Sequence, residues 1–282
     1  MDRIIIAGID GSAESLDAAD WAAREALRRG LPLLLLHAGD EPRSHTGLPE
    51  LDAPAERTGH ALDRAARALA SAHPALEISR RQAAGPPDAA LLDAAASSGC
   101  VVLGSRGFAG FAGFLVGSVA LAVAAGANCP VVLVRAGARA EDEHWDSAAG
   151  PYRPVVLGID LDHPCDELIE YAFEAARARR APLHVLHTWA FPLAPSGSAV
   201  DPEEEQLHHL AAMLNPWRHK YADTEVSERT VHGRAAHHLL LASTGASLLI
   251  VGRRIPSGPR LGPVAHSMIH HSVCPLAVMP HV

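Results

Sequence analysis

At 282 residues the chain is long enough for one large or two ordinary domains, and its 48% hydrophobic and 20% charged residues exclude a disordered chain. A formal net charge of -8 argues against nucleic acid as a partner, because displacing counterions needs a basic surface; a local cradle for a small acidic ligand stays open. Cys100, Cys129, Cys165 and Cys274 lie far apart without a CxxC pairing, which indicates neither a zinc site nor a disulfide framework and predicts buried, reduced thiols.

The chain enters an apolar, β-branched run almost at once, from Arg3 to Ile9, and its first residues offer no cleavable signal, so a cytoplasmic location is expected. That run stops at Asp10-Gly11-Ser12, which predicts a buried strand turning into a helix. Over Ser15 to Arg29, Leu16, Ala19, Ala23, Ala26 and Leu27 share one helical face; Asp17 and Asp20 precede Arg24, Arg28 and Arg29, matching the helix dipole, and Gly30 suits the terminus. Pro32 to His37 reads as the second strand. The polar, proline-bearing segment from Ala38 to about Ala55 predicts a loop, followed by a helix over Glu56 to Ala72. A third strand over Leu76 to Gln82, a short helix over Asp88 to Ser97 and a fourth strand over Cys100 to Gly104 complete the approach to the most informative stretch.

That stretch, Val101 to Val134, reads as a strand ending at Gly104, a glycine-rich loop, a small-residue helix opening at Gly117-Ser118, and a fifth strand after Pro130. Glycines allow the backbone to come close to a ligand, and the first amides of a helix lack partners of their own, so the pattern predicts a phosphate cradle. Gly107 to Val134 carries no charged side chain, but five glycines, Asn128 and Pro130 interrupt it and no basic flank or aromatic belt frames it, which argues against a membrane span.

The order β-α-β-α-β-α-β-α-β is the signature of a doubly wound α/β domain, a parallel sheet with helices on both faces. Ala136 to Tyr152 has no apolar period and reads as a linker, after which the chain repeats itself. The run ending at Asp10 returns ending at Asp160, that ending at His37 at His187, that ending at Gly104 at Gly252, and Cys129-Pro130 returns as Cys274-Pro275. Two copies of one domain are therefore expected, over 1–138 and 153–282 with a linker over 139–152.

With strand order 3-2-1-4-5, strands one and four adjoin where the winding reverses, which brings Asp10 beside Gly104. Asp10 can accept hydrogen bonds from a ribose hydroxyl or an adenine amine; it can equally be a turn or helix-capping residue. Amides near Gly107, Gly117 and Ser118 suit phosphates, with Ser118 adding a hydroxyl and Arg106 a charge, whereas the glycines alone also suit an ordinary flexible loop. The pattern is neither a P-loop nor GxGxxG after the first strand.

Gly104-Ser105-Arg106-Gly107, nine residues, Gly117-Ser118, together with Asp10-Gly11-Ser12 and Cys129-Pro130-Val131-Val132, resembles the universal stress protein family over nearly the whole chain, with the glycine spacing of its ATP-binding version. The resemblance implies two five-stranded parallel sheets and ATP as ligand, with or without magnesium. It also implies domain pairing through strand five, and leaves open whether two chains associate into a homodimer. Carried over by residue, Asp10, Gly11 and Ser12 would meet the nucleoside, Ala38 would line the adenine pocket, and Gly104, Arg106, Gly107, Gly117, Ser118 and Val119 would hold ribose and phosphates. The implied role is a nucleotide-responsive regulatory or stress-tolerance protein in which ATP orders the glycine loop and its aromatics Phe108, Phe111 and Phe114. Alternatives are slow ATP hydrolysis or nucleotidyl transfer, for which the sequence supplies no carboxylate pair, base or nucleophile, and a nucleotide-free scaffold.

The second copy departs from the pattern. Ile255 stands in the place of Gly107, the following loop is three residues shorter, and Pro263 replaces Ser118. Proline at a first helical turn preserves the helix but removes an amide and a hydroxyl, so this copy is expected to hold nucleotide weakly or not at all. Paired histidines such as His237-His238 and His270-His271, with His266 one turn before His270, lack the further ligands a zinc site needs, and interface or part-exposed roles are expected for them.

Overall fold

The computed structural model describes residues 4–39, 49–105, 116–147, 149–163, 165–190, 201–255 and 258–282, with side chains omitted over 49–60. The chain divides into two compact units, Met1–Arg139 and Ala140–Val282.

The first unit runs β1 (Ile5–Gly8), α1 (Ala13–Arg29), β2 (Leu33–Ala38), α2 (Pro49–Ala72), β3 (Ile78–Ala83), α3 (Pro87–Ala95), β4 (Cys100–Ser105), α4 (Ser118–Gly126) and β5 (Val131–Arg135). Its strands are all parallel in the order β3-β2-β1-β4-β5, as expected. The second unit runs β6 (Val155–Ile159), α5 (Asp166–Arg179), β7 (Leu183–Trp189), α6 (Pro202–Lys220), β8 (Val226–His232), α7 (Ala235–Ser243), β9 (Leu248–Arg254), α8 (Pro263–His271) and β10 (Leu276–His281). Its order, β8-β7-β6-β9-β10, is the same winding. Even the register repeats: Ile5 lies opposite Leu33 and Cys100, as Val155 lies opposite Leu183 and Leu248.

Strands buried on both faces need apolar runs rather than alternation, which is why β1, β2, β4 and β5 read as continuous aliphatics. Ile5, Leu33, Leu35, Val101, Val102, Val132 and Val134 are fully inaccessible, each aliphatic side chain contributing about 1.5–3 kcal/mol on burial. In α1 the buried arc differs from the expected one. Ala19, Ala23 and Ala26 are buried, but Leu16 and Leu27 are 42% and 40% exposed, while Ala18, Trp21 and Ala22 are inside. The face is turned by about a quarter of a helical circle, because the large Trp21 ring is drawn into the core and small alanines let the helix lie close to the sheet. Glu25, also buried, is neutralised by Arg28 and Arg29 from the next turn. Gly30 ends the helix in the left-handed conformation, φ 64°, with its amide bonded to Ala26 and Leu27.

The helix expected from Glu56 begins seven residues earlier, at Pro49. The segment expected to be a linker is itself folded. A 3-10 turn over Ala140–Glu143 leads to a bridge between His144 and Tyr152, whose rings lie 3.9 Å apart; His144 Nδ1 donates to the Gly150 carbonyl and Arg153 Nε to that of His144. All four cysteines are buried and form no disulfide. Among the described residues no helix is long and apolar enough to cross a membrane.

Candidate functional site

In the first unit the winding reverses between β1 and β4, whose neighbours β2 and β5 lie on opposite sides. A crevice outside the carboxyl ends of the strands is the place such a sheet offers a ligand. Each unit ties that edge together in the same way: His37 Nδ1 donates to the Ile9 carbonyl at 2.6 Å, and His187 Nδ1 to the Ile159 carbonyl at 3.1 Å. Strands one and two thus end together in both copies, through a histidine that the sequence marks as the last residue of LLLLH and LHVLH.

Asp10 leaves β1 into a turn that Gly11 makes at φ 84°, a region costly for a residue with a Cβ. Asp10 Oδ1 accepts from the Ser12 amide at 2.9 Å and from the Ser12 hydroxyl at 2.5 Å. Ser12, not Asp10, is the N-cap of α1: its Oγ accepts from the Ser15 amide, and the Ser15 hydroxyl donates back to the Ser12 carbonyl. The network holds the Asp10 carboxylate at the mouth of the crevice. Ser12→Ala removes the cap and one of the two bonds that hold Asp10, and is expected to destabilise the first unit by about 1 kcal/mol, read by amide exchange in α1.

Asp10, Ser12, Ala38, Gly104, Gly117, Ser118 and Val119 line one cavity of about 710 Å³. Gly11 shapes the turn and is not part of the lining; Arg106 and Gly107, with Phe108, Phe111 and Phe114, fall outside the described residues. The lining also takes Glu14 from the first turn of α1, Pro87 and Leu91 from α3, and Val116. Sequence reasoning missed these; Glu14 sits two residues beyond DGS, and Leu91 has its copy in Leu239, two signals that were readable.

The two glycines in the lining act differently. A Cβ on Gly104 would stand 2.5 Å from the Glu14 carbonyl oxygen, so this glycine is required by the close passage of α1 over β4. Gly117 has ordinary extended angles, φ -63° and ψ 153°, and open space where a Cβ would be. It is the N-cap of α4 and supplies no side-chain bond, so among the described residues no side chain caps the first-turn amides of that helix where they meet the cavity. Together with the helix dipole they favour an anion.

The second unit has an equivalent cavity of about 630 Å³, lined by Asp160, Thr188, Gly252, Gly262 and Pro263 among others. The helix survives the proline as expected: Gly262 has φ -66° and ψ 162°, close to Gly117, and α8 starts at Pro263. The rings of His266 and His270 lie 4.8 Å apart on α8, and among the described residues no group of three metal-ligating side chains is found.

A model of the universal stress protein family matches residues 1–135 and again 151–280. A universal stress protein of Mycolicibacterium smegmatis is 30% identical over 98% of this chain and 96% of its own length, and universal stress protein Rv2005c of Mycobacterium tuberculosis is 29% identical over 97% and 96%. Among solved structures, a universal stress protein from Archaeoglobus fulgidus superposes with a TM-score of 0.75 at 17% identity, covering 99% of both chains, a likeness of fold. Matched twice in sequence and built from two units of one winding, the chain belongs to the universal stress protein family in its tandem form.

Proposed function

We propose that the first unit binds an adenine nucleotide in its cavity and that the chain acts as a nucleotide-responsive regulatory protein. The observation that carries this reading is the meeting, in one 710 Å³ space, of a held carboxylate at the end of β1 and the uncapped first turn of α4. The carboxylate of Asp10 suits the nucleoside hydroxyls, Ala38 and Leu36 give an apolar wall for the base, and the amides of Ser118 and Val119 suit phosphate oxygens. ATP fits this donor set, and Glu14 adds a second carboxylate to the lining, the group that would hold its magnesium. The same two carboxylates support slow hydrolysis as a second reading. A regulatory effect would follow only from a difference in nucleotide affinity between two arrangements of the protein.

The test is to denature freshly purified full-length protein, identify any released nucleotide, and titrate ATP with and without magnesium into the parent and Asp10→Ala, assaying the same samples for phosphate release. About one adenine nucleotide per chain, and ATP binding weakened about tenfold or more in Asp10→Ala, are expected. Undiminished ATP affinity in that variant, with folding intact, would remove Asp10 from the site.

A further inference from the structure

The two cavities occupy the same place in two copies of one fold, yet the charged residues described in their linings differ in sign. Among the described lining residues the first has the carboxylates Asp10 and Glu14 and no lysine or arginine. The second has a single carboxylate, Asp160, against Arg253, Arg254 and Arg260. Arg253 forms part of the buried wall, only 4% exposed, while Arg254 and Arg260 stand on the exposed rim. Burial pushes the Arg253 guanidinium below its usual range, and an anion in the cavity would raise it again.

The carboxylate that a nucleoside would need is engaged differently as well. Asp160 Oδ1 accepts from the Asp162 amide at 3.1 Å and Oδ2 lies 3.0 Å from His163 Nδ1, so both oxygens are taken within the turn. His163 stands where the first copy has Ala13, and both His163 and His281 join the lining. At the opposite wall α8 begins without a capping side chain, so its dipole adds to the positive side of the balance. Leu168, Leu239 and Leu261 add aliphatic surface to the lining, with the polar Thr188.

We propose that the second cavity is a separate anion site, taking a compact polyanion with phosphate or carboxylate groups and no nucleoside, recognised by Arg253, Arg254 and Arg260. Loss of the glycine-loop chemistry in this copy is then an exchange of ligand class. A planar guanidinium offers paired donors to either kind of oxyanion, which is why both are included.

The experiment is calorimetric titration of the full chain with pyrophosphate, citrate and adenosine, in the parent, in Arg254→Ala/Arg260→Ala and in Ser118→Pro. Both replaced arginines are surface-exposed, so folding is retained. Binding of pyrophosphate or citrate is expected in the parent, weakened about tenfold to a hundredfold in the double arginine variant, retained in Ser118→Pro, and weakened by added salt. The stronger of the two anions tells phosphate from carboxylate. Heat from neither anion at millimolar concentration, equal affinity in the double arginine variant, loss in Ser118→Pro, or competition by adenosine would each overturn the proposal. None of these outcomes depends on whether ATP occupies the first cavity.

Discussion

Gly104→Ala is expected to destabilise the first unit by about 1–3 kcal/mol, whereas the same change at its copy, Gly252→Ala, should have an effect of about 1 kcal/mol or less. The positions look equivalent in sequence, each the glycine of a VVLG or LIVG strand. Their surroundings are not. The added carbon on Gly104 would lie 2.5 Å from the oxygen and 2.6 Å from the carbonyl carbon of Glu14, and 3.0 Å from the Ser15 amide nitrogen. These are backbone atoms of the first turn of α1, which cannot yield without moving the helix from the sheet and disturbing the Ser12 cap. On Gly252 the near atoms are the ring tip of His281, at 2.6 and 2.8 Å, and a Leu168 methyl at 3.2 Å. A side-chain rotation relieves that contact. Because two units do not unfold as one two-state system, the measurement is amide exchange followed separately in β4 and β9. Equal loss of protection in the two strands would show that α1 is not held where the structure places it.

The contrast marks what a sequence can and cannot disclose. Strand order, the duplication and the crevice at β1 and β4 were legible, because continuous aliphatic runs, helix caps and the repeat of landmarks such as Asp10 and Asp160 are properties of the chain itself. The packing role of Gly104 was not: its cause lies in α1, some ninety residues away, and in sequence it reads as a glycine for ligand approach. For the same reason periodicity alone puts Leu16 and Leu27 on the buried face of α1, where they are half-exposed. Periodicity gives the width of an apolar arc, but its rotation is decided by how Trp21 and the alanines meet the sheet. The early start of α2 was hidden by Pro54, which suggests a loop though the helix continues through it. In the second copy the missing glycine and the proline were visible as losses, while the arginines of its cavity gained meaning only once Arg253 was seen to be buried.

Ser118→Pro is expected to weaken adenine nucleotide binding by about a hundredfold or more while leaving the stability of the first unit unchanged or slightly raised. The substitution imports what the second copy already carries. Proline at the first helical position removes an amide that has no partner within the helix, and its fixed φ suits that position. It also requires extended angles in the residue before it, and Gly117 already has φ -63° and ψ 153°. Gly262 shows the same backbone accepting Pro263, with φ -66° and ψ 162°. The helix therefore has no reason to fray, and the loss falls on the ligand: one amide and one hydroxyl, each worth about 1.5–3 kcal/mol toward a charged group. Calorimetry with ATP, alongside thermal unfolding of the ligand-free protein, separates the two effects. An unchanged affinity would place the phosphates away from α4; a lost affinity with an equally large loss of stability would make Ser118 a structural residue. The reverse change, Pro263→Ser, should not create a second equivalent ATP site, because Ile255 and the shorter loop remain and Asp160 stays engaged by His163. If it does, the two cavities differ by that one donor alone, and the arginines of the second serve nucleotide phosphate.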